Sequence, residues 1–472
     1  MKNFPVGRLF LTTWLVYLFH FRHLAAGSDR FVLLVRAIVE QRTFRLDAYQ
    51  TSPFFGDVVS FQGHYYSNIN PGAAWLGVPF WAIAHFFYQN IPPASPLRRE
   101  EIHHFLTHFI TTACTSSLLS ALAGVLLGLW AYQRSKSQWR GILTVFLYNF
   151  CSIAFFYSTR LSQNSLIASL SIFVFILLFK PQILKVKSYR TQLFCIGFIL
   201  ASGLVIDLTI VPLAGIVLIL LFWQNRNYWL VLRYFLFGTI APLLLLLFYQ
   251  YLCFGNPFLS ASNVFLDQAA IPEPSVSLTR QLFQRFQSLF TYLFSPQAGL
   301  FIYMPYLTLA MVYLLHHNRQ SLYFKHNEKR YILGVFVAYS AFLLALPASY
   351  LQYTLFGCRY ILPLVPLLCL TFALHFRPPH YHLGIALIAL GFLINLAGAQ
   401  QGYDTDNIII YTLIYIFRGA WFPLLDWLQT GLPDDFNALP SVLNPSGIVF
   451  LLLLMLIVIW WPYFFPYPKS RG

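Results

Sequence analysis

The stretch G27-S-D-R-F-V-L-L-V-R-A-I-V-E40, continued by T-F-R-L-D-A-Y-Q at 43–50 and G-D-V-V-S-F-Q-G-H-Y-Y-S-N-I-N-P-G at 56–72, is a polar island in a chain that is otherwise largely apolar. Acids are scarce, 15 in 472 residues, and Asp29, Glu40, Asp47 and Asp57 all fall within it. This is where the chemistry of the molecule is expected. On either side of it the chain is 58% hydrophobic, 19% aromatic and only 10% charged, with a mean hydropathy of +0.63. Such a chain cannot cover its apolar surface with polar atoms, which excludes a soluble domain and makes it a polytopic membrane protein. The formal charge of +15 then reads as basic residues in cytoplasmic loops, not as a nucleic-acid surface.

Runs long enough to cross a bilayer start near Leu9, Ile102, Ile142, Asn164, Gln192, Leu208, Tyr234, Gly299, Tyr331, Tyr360, Leu383 and Gly447. The first, Leu9–Ala25, lacks a small-residue cleavage site after Phe21-Arg22-His23 and is kept as a membrane helix rather than a signal peptide. Every lysine sits at a terminus or in a short loop. With those loops inside, twelve crossings satisfy the positive-inside rule, provided that Pro71–Tyr88 makes no net crossing; if it crosses, there are thirteen. The expected architecture is therefore an all-α bundle of 12–13 transmembrane helices forming one membrane domain over 1–472. In that topology nearly every acid falls on the outer face, with Glu328 inside, although acids contribute little to the orientation rule.

Three outer intervals follow: Ala26–Glu101, whose first loop is 26–70, then 254–298 and 400–446. Within the first, Phe31, Leu34, Val35, Ile38 and Val39 recur at helical spacing, predicting an amphipathic helix over 29–42 with Ser28 as its cap, lying in the interface with its apolar face on lipid or on the bundle. Surface helices are predicted over 278–293, 408–417 and 421–428. The six cysteines (Cys114, Cys151, Cys195, Cys253, Cys358, Cys369) form no C-x-x-C, so neither a zinc motif nor a disulfide framework is indicated. No soluble C-terminal domain is expected after Gly447–Trp461.

Several residues in these outer intervals are suited to chemistry. Asp29, directly after the first membrane helix, reads either as a general base at the water–lipid boundary or as a first-turn carboxylate that stabilises the helix dipole. Asp57 follows Gly56 in a turn, and Asp47 reads as structural. The tract His64, Tyr65, Tyr66, Ser67, Asn68 packs hydrogen-bonding groups before an apolar run; it is either an aromatic belt or a wall for a phosphate or sugar. Arg160 and Arg359 stand at outer ends of apolar runs, as snorkelling residues or as phosphate clamps, with Arg359 favoured by Gly357 and Pro363. Asp207 reads equally as a turn residue or as a site residue. No P-loop, zinc motif or nucleophile elbow is present, so an enzyme of this shape would draw on a lipid-linked activated substrate.

The order of a membrane helix, an outer loop opening on Asp29, the phrase D-V-V-S-F-Q-G-H-Y-Y-S-N-I-N-P-G, then L-F-S-P-Q-A-G-L-F-I-Y-M-P and F-G-C-R-Y-I-L-P-L-V-P resembles the bacterial membrane glycosyltransferases of the GT-C superfamily, the group of protein O-mannosyltransferases and lipid A aminoarabinose transferases. The resemblance implies a multi-pass protein of the bacterial inner membrane. It would act at the outer face as an inverting transferase, moving a sugar from a polyprenyl-phosphate donor to a lipid, glycan or protein acceptor. It further implies Asp29 as the catalytic residue and Asp57, His64, Tyr65, Tyr66, Asn68 and Arg359 on the donor side, where Arg160 is added from its position alone. No metal ligand is assigned; a divalent cation is admitted as a cofactor, and nucleic acid is not a partner. Where relatives carry a lysine before the P-G turn, this chain has Ile69 and Asn70, so an arginine must replace it or activity is in doubt. The alternatives are a flippase for a lipid-linked glycan and a non-catalytic scaffold.

Overall fold

The computed structural model describes residues 4–22, 29–89, 96–225, 227–264, 278–315, 323–346, 356–377, 380–401, 407–419, 422–425 and 445–464. Ser28, Asp267, Glu273, Asp404, Asp406, Asp426, Asp434, Asp435 and half of the helix expected over 421–428 lie outside these residues.

Long apolar runs without strand alternation form helices, and helices dominate. In order they are α1 (Val6–Phe19), α2 (Asp29–Gln41), α3 (Gly72–Tyr88), α4 (Pro96–Thr112), α5 (Leu118–Ser135), α6 (Gln138–Phe150), α7 (Ala154–Ser158), α8 (Gln163–Phe179), α9 (Tyr189–Ile206), α10 (Val211–Gln224) and α11 (Tyr228–Phe254). Among the later ones are Leu278–Phe294, Leu307–Leu315, His326–Ala345, Val365–His375, Tyr381–Gln401, Ile408–Arg418 and Pro445–Phe464. Among the described residues, four stretches are long and apolar enough to cross a membrane: Glu100–Ser135, Tyr189–Ile206, Tyr228–Phe254 and Tyr381–Gln400. The first joins α4 to α5 through a π turn at Ala113–Ser117. Shorter apolar helices, among them Val6–Phe19, Gln163–Phe179 and Arg359–His375, stand with them. The chain is an all-helical integral membrane protein.

Membrane helices gain little from apolar burial against one another, so close backbone contact has to hold them together. α9 and α11 meet through reciprocal glycines. A Cβ on Gly197 would lie 2.2 Å from the carbonyl oxygen of Phe235, and one on Gly238 would lie 2.2 Å from that of Phe194. An alanine at either place would force the two helices apart.

The expected surface helices over 278–293 and 408–417 are present as Leu278–Phe294 and Ile408–Arg418. On the first, Phe283, Phe286 and Phe290 turn outward at i, i+3 and i+7, an apolar stripe of the kind that lies in an interface. The second buries Ile408, Tyr411, Thr412 and Tyr415 and exposes Ile409, Ile410, Leu413 and Phe417.

Two features of the opening stretch differ from the sequence reading. α2 is enclosed instead of lying open on the surface: Phe31, Val32, Leu33, Leu34, Val35 and Ala37 are fully buried, and Arg30 and Arg36 with them. It packs on α3, α4 and the strand His64–Ser67. Its polar residues tolerate this because they are paired inside the protein, as buried charges must be. The second difference is a hairpin in the polar tract: β1 (Val58–Phe61) runs antiparallel to β2 (His64–Ser67), with Phe61 opposite His64 and Val58 opposite Ser67. Gln62 and Gly63 both adopt positive φ, 50° and 81°, the signature of a type I′ turn. Pro71–Tyr88, left open by the sequence, is the single helix α3 with Pro79 inside it. Its start is buried, while Ile83, Phe86 and Phe87 near its end are 64–68% exposed.

Candidate functional site

α2 opens on Asp29, so the carboxylate stands at the positive end of the helix dipole. α4 lies alongside and presents His104, whose Nε2 is 3.0 Å from Asp29 Oδ1. With Asp29 ionised, His104 is the donor. Its ring is fully buried and stacks on Phe54, with centroids 3.9 Å apart and planes within 8°. Burial pushes the Asp29 carboxyl up to about 7, and the charge of Asp57 adds to this while Arg30 opposes it. A carboxylate with a pKa near neutrality is well matched to taking a proton from a hydroxyl or amine.

The next residue of α2, Arg30, reaches into the loop. Its NH1 donates to Asn68 Oδ1 at 3.0 Å and to Asp57 Oδ2 at 3.3 Å. Asp57 is held in the left-handed region, with φ 54°, and its carbonyl accepts the Asn68 N–H at 3.3 Å. The strained turn thus sets both acceptors around one guanidinium. The Arg30 Nε is buried without a hydrogen-bond partner among the described residues. Burial lowers the pKa of Arg30, the nearby charge of Asp57 raises it and that of Arg359 lowers it, for a net decrease.

Arg359 follows Gly357, which has φ 61°. Its NH2 donates to the Tyr360 hydroxyl at 3.1 Å, and its Nε is likewise buried without a partner among the described residues. Asp207 also interacts electrostatically with Arg30, but its Oδ1 caps a short 3-10 turn by accepting the Thr209 N–H at 2.7 Å. Both readings of Asp207 therefore have support.

Of the residues singled out from sequence, Asp57 and Asn68 come together on Arg30, next to Asp29, and Arg359 is near enough to act on Arg30 electrostatically. The others stand apart. His64 Nδ1 lies 2.8 Å from Asp47 Oδ2, and Asp47 Oδ1 accepts the Tyr65 N–H at 2.8 Å. This makes Asp47 the clasp of the hairpin. Tyr65 packs edge-on to Phe55, and Tyr66 is buried with Val59, Tyr249 and Phe254. Arg160 stacks over Phe156 at 3.5 Å and donates from Nε to the Phe156 carbonyl at 3.1 Å. Asn70, at the place of the absent lysine, is committed to the carbonyl of Leu204 at 2.8 Å. The sequence reading passed over Arg30, His104 and His108. The signal that marks the two histidines is the run Glu100, His103, His104, His108 at the head of an apolar segment, with the last two one helical turn apart.

At the other end of α2, Arg36 makes a two-pronged pair with Glu100 at 2.7 and 2.9 Å. Its Nε donates to Glu40 Oε1 at 3.3 Å, and Trp81 Nε1 donates to the same oxygen at 3.2 Å. His103 Nε2 lies 3.1 Å from that oxygen as well. Burial pushes Glu40 up, but His103 and Arg36 outweigh it and hold the carboxyl below its ordinary value. Two groups, Asp29–His104–His108 and Glu40–His85–His103, bring three potential metal-ligand atoms within 4.8 Å of one another. In the second, those atoms share their space with Arg36.

No protein-family model matches the chain, and no characterised protein matches it in sequence. Among the solved structures that are similar are two of one protein. One is a crystal structure of ArnT from Cupriavidus metallidurans bound to undecaprenyl phosphate, with a TM-score of 0.44 and 12% identity, covering 97% of this chain and 75% of that one. The other is ArnT from the same organism in the apo state, with a TM-score of 0.46 and 15% identity, covering 96% and 74%. The likeness is low in both sequence and shape, and the functional reading rests on the residues themselves.

Proposed function

We propose that the protein is an inverting glycosyltransferase that moves a sugar from a polyprenyl-phosphate donor to an acceptor at the outer face of the membrane. The observation that carries this reading is a near-neutral carboxylate beside the buried Arg30, with the half-buried Arg359 close enough to act on Arg30, the Nε of each guanidinium being buried with no described partner. A buried donor left without an acceptor is costly, and a phosphate oxygen is the acceptor that a guanidinium fork suits best. In the reaction, the acceptor oxygen or nitrogen attacks the anomeric carbon on the face opposite the phosphate, and Asp29 takes the proton that it loses. The bond from the anomeric carbon to the phosphate oxygen breaks, and its electron pair stays with the phosphate. Arg30 and Arg359 stabilise the charge that develops there. Arg30 stands in for the lysine that the loop lacks. The outer location follows from the lysine-bearing loops being inside.

The reading separates from a flippase in proteoliposomes loaded with radiolabelled polyprenyl-phosphate sugar and membrane lipid acceptors. Expected is label moving onto acceptor with inverted anomeric configuration and release of polyprenyl phosphate. Label that crosses the bilayer while still attached to the polyprenyl phosphate would make the protein a transporter.

A further inference from the structure

We infer that His104 is the positioning residue of the Asp29 base, holding Oδ1 through its Nε2 so that Oδ2 is the oxygen presented to the acceptor. This rests on the transferase reading above. An ionised carboxylate on an N-terminal helix residue is free to rotate about its last bond, and only one of its two oxygens can accept a proton in a given substrate pose. A hydrogen bond to one oxygen removes that freedom. His104 is built for the task. Its contact with Asp29 is 3.0 Å, its ring is fully buried, and Phe54 stacks flat on it. His108, one turn further along α4, meets it edge-on at 6.2 Å and is itself pinned by Phe21 at 5.0 Å. The imidazole therefore cannot follow the carboxylate if it turns, and the carboxylate is held to the imidazole. His104 exchanges no proton in this scheme. It donates Nε2–H to Oδ1 throughout, while the acceptor proton goes to Oδ2.

The groups that set the local field are Arg30 and Asp57 beside Asp29, His108 on α4, and Arg36, Glu100 and His103 around His104. Replacing His104 alone leaves all of these in place. A hydrogen bond to the ionised form favours that form, so its loss makes Asp29 harder to ionise and moves the acid limb of the transfer rate to higher pH.

The test uses the full chain in detergent, with polyprenyl-phosphate sugar as donor, and compares two amides. In His104→Gln the side-chain N–H sits near the place of Nε2, whereas in His104→Asn it is too short to reach Oδ1. Expected for Asn is a fall in kcat of about tenfold to a hundredfold with donor KM within about twofold and the acid limb moved upward; Gln restores most of the rate and the limb. Equal impairment of Gln and Asn, or an acid limb that Asn leaves unmoved, would overturn the proposal and make the contact merely structural. Rates that are abolished by a chelator and restored by Zn2+, with bound Zn2+ lost in both His104→Asn and His108→Ala, would overturn it by making His104 a metal ligand. Neutral His104 variants beside a dead Asp29→Asn sink this inference alone; an active Asp29→Asn sinks the transferase reading beneath it.

Discussion

The two ends of α2 carry the same kinds of residue in opposite states. At its C-terminal end Arg36, Glu40 and Glu100 form a closed network: every formal charge has a partner, and Trp81 fills the remaining place on Glu40. At its N-terminal end Arg30 uses one nitrogen on Asp57 and Asn68 and leaves its Nε without a described partner, while Asp29 is pushed up to about 7 by burial and by Asp57. A satisfied buried network specifies structure. An incompletely satisfied one, held in place by rigid elements, is suited to a ligand that completes it. On the proposed reading, the difference gives structure to one end of the helix and chemistry to the other, thirteen residues from first to last.

Substitutions at the two ends should therefore separate activity from stability. The largest effect is expected for Asp29→Asn, which keeps shape but cannot take a proton. Transfer should fall by about 10²–10⁴-fold with the melting temperature in detergent unchanged; full transfer would remove the base. Arg30→Gln or Arg359→Gln should each cost about 10²–10³-fold in transfer, again with folding preserved. If Arg30→Gln lowers stability and spares transfer, the contrast between the two ends fails.

Arg36→Ala should do the reverse. It leaves Glu100 with Ser52 but no counter-charge and weakens Glu40, at a cost of roughly 2–3 kcal/mol, less than a wholly buried pair because the Glu100 side chain is 28% exposed. The protein that remains folded should transfer at a near-normal rate, which a melting curve paired with a rate measurement will show.

A smaller effect is expected on the pH profile. The proposed base works ionised, so transfer should rise with pH through about 7. Burial is the main cause of the raised value and Asp57 the next. Asp57→Asn removes the second cause and should move the acid limb to lower pH; movement upward would contradict the assignment. The least effect is expected for His64→Ala, within about twofold, since His64 serves Asp47 on a half-exposed hairpin.

Helix existence was legible in the sequence, and much of the chemistry was not. Apolar periodicity placed α2 within one residue of its observed end and also found Leu278–Phe294 and Ile408–Arg418, because burial periodicity is a local property of the chain. Asp29 could be singled out because it closely follows an apolar run. His104 was not, since it lies 75 residues from Asp29 and its partner is chosen by how α4 packs against α2. Arg30 was hidden by its neighbours: inside a hydrophobic run it looked like part of a helix face, and only the turn at Asp57 makes it a site residue. The tract over 58–67 looked like a polar wall because its side chains are polar. The positive φ at Gln62 and Gly63 folds it into a hairpin that turns His64 and Tyr66 away from Asp29 towards Asp47 and Phe254.

The central claim, that the open end of α2 is the seat of the donor phosphate, is tested most directly by a structure of the full chain in a lipid nanodisc with polyprenyl phosphate bound. The account predicts the phosphate between Arg30 and Arg359, with oxygens about 3 Å from both guanidinium groups and Asp29 on the side facing the acceptor. A phosphate held elsewhere, with Arg30 still turned only to Asp57 and Asn68, would contradict it.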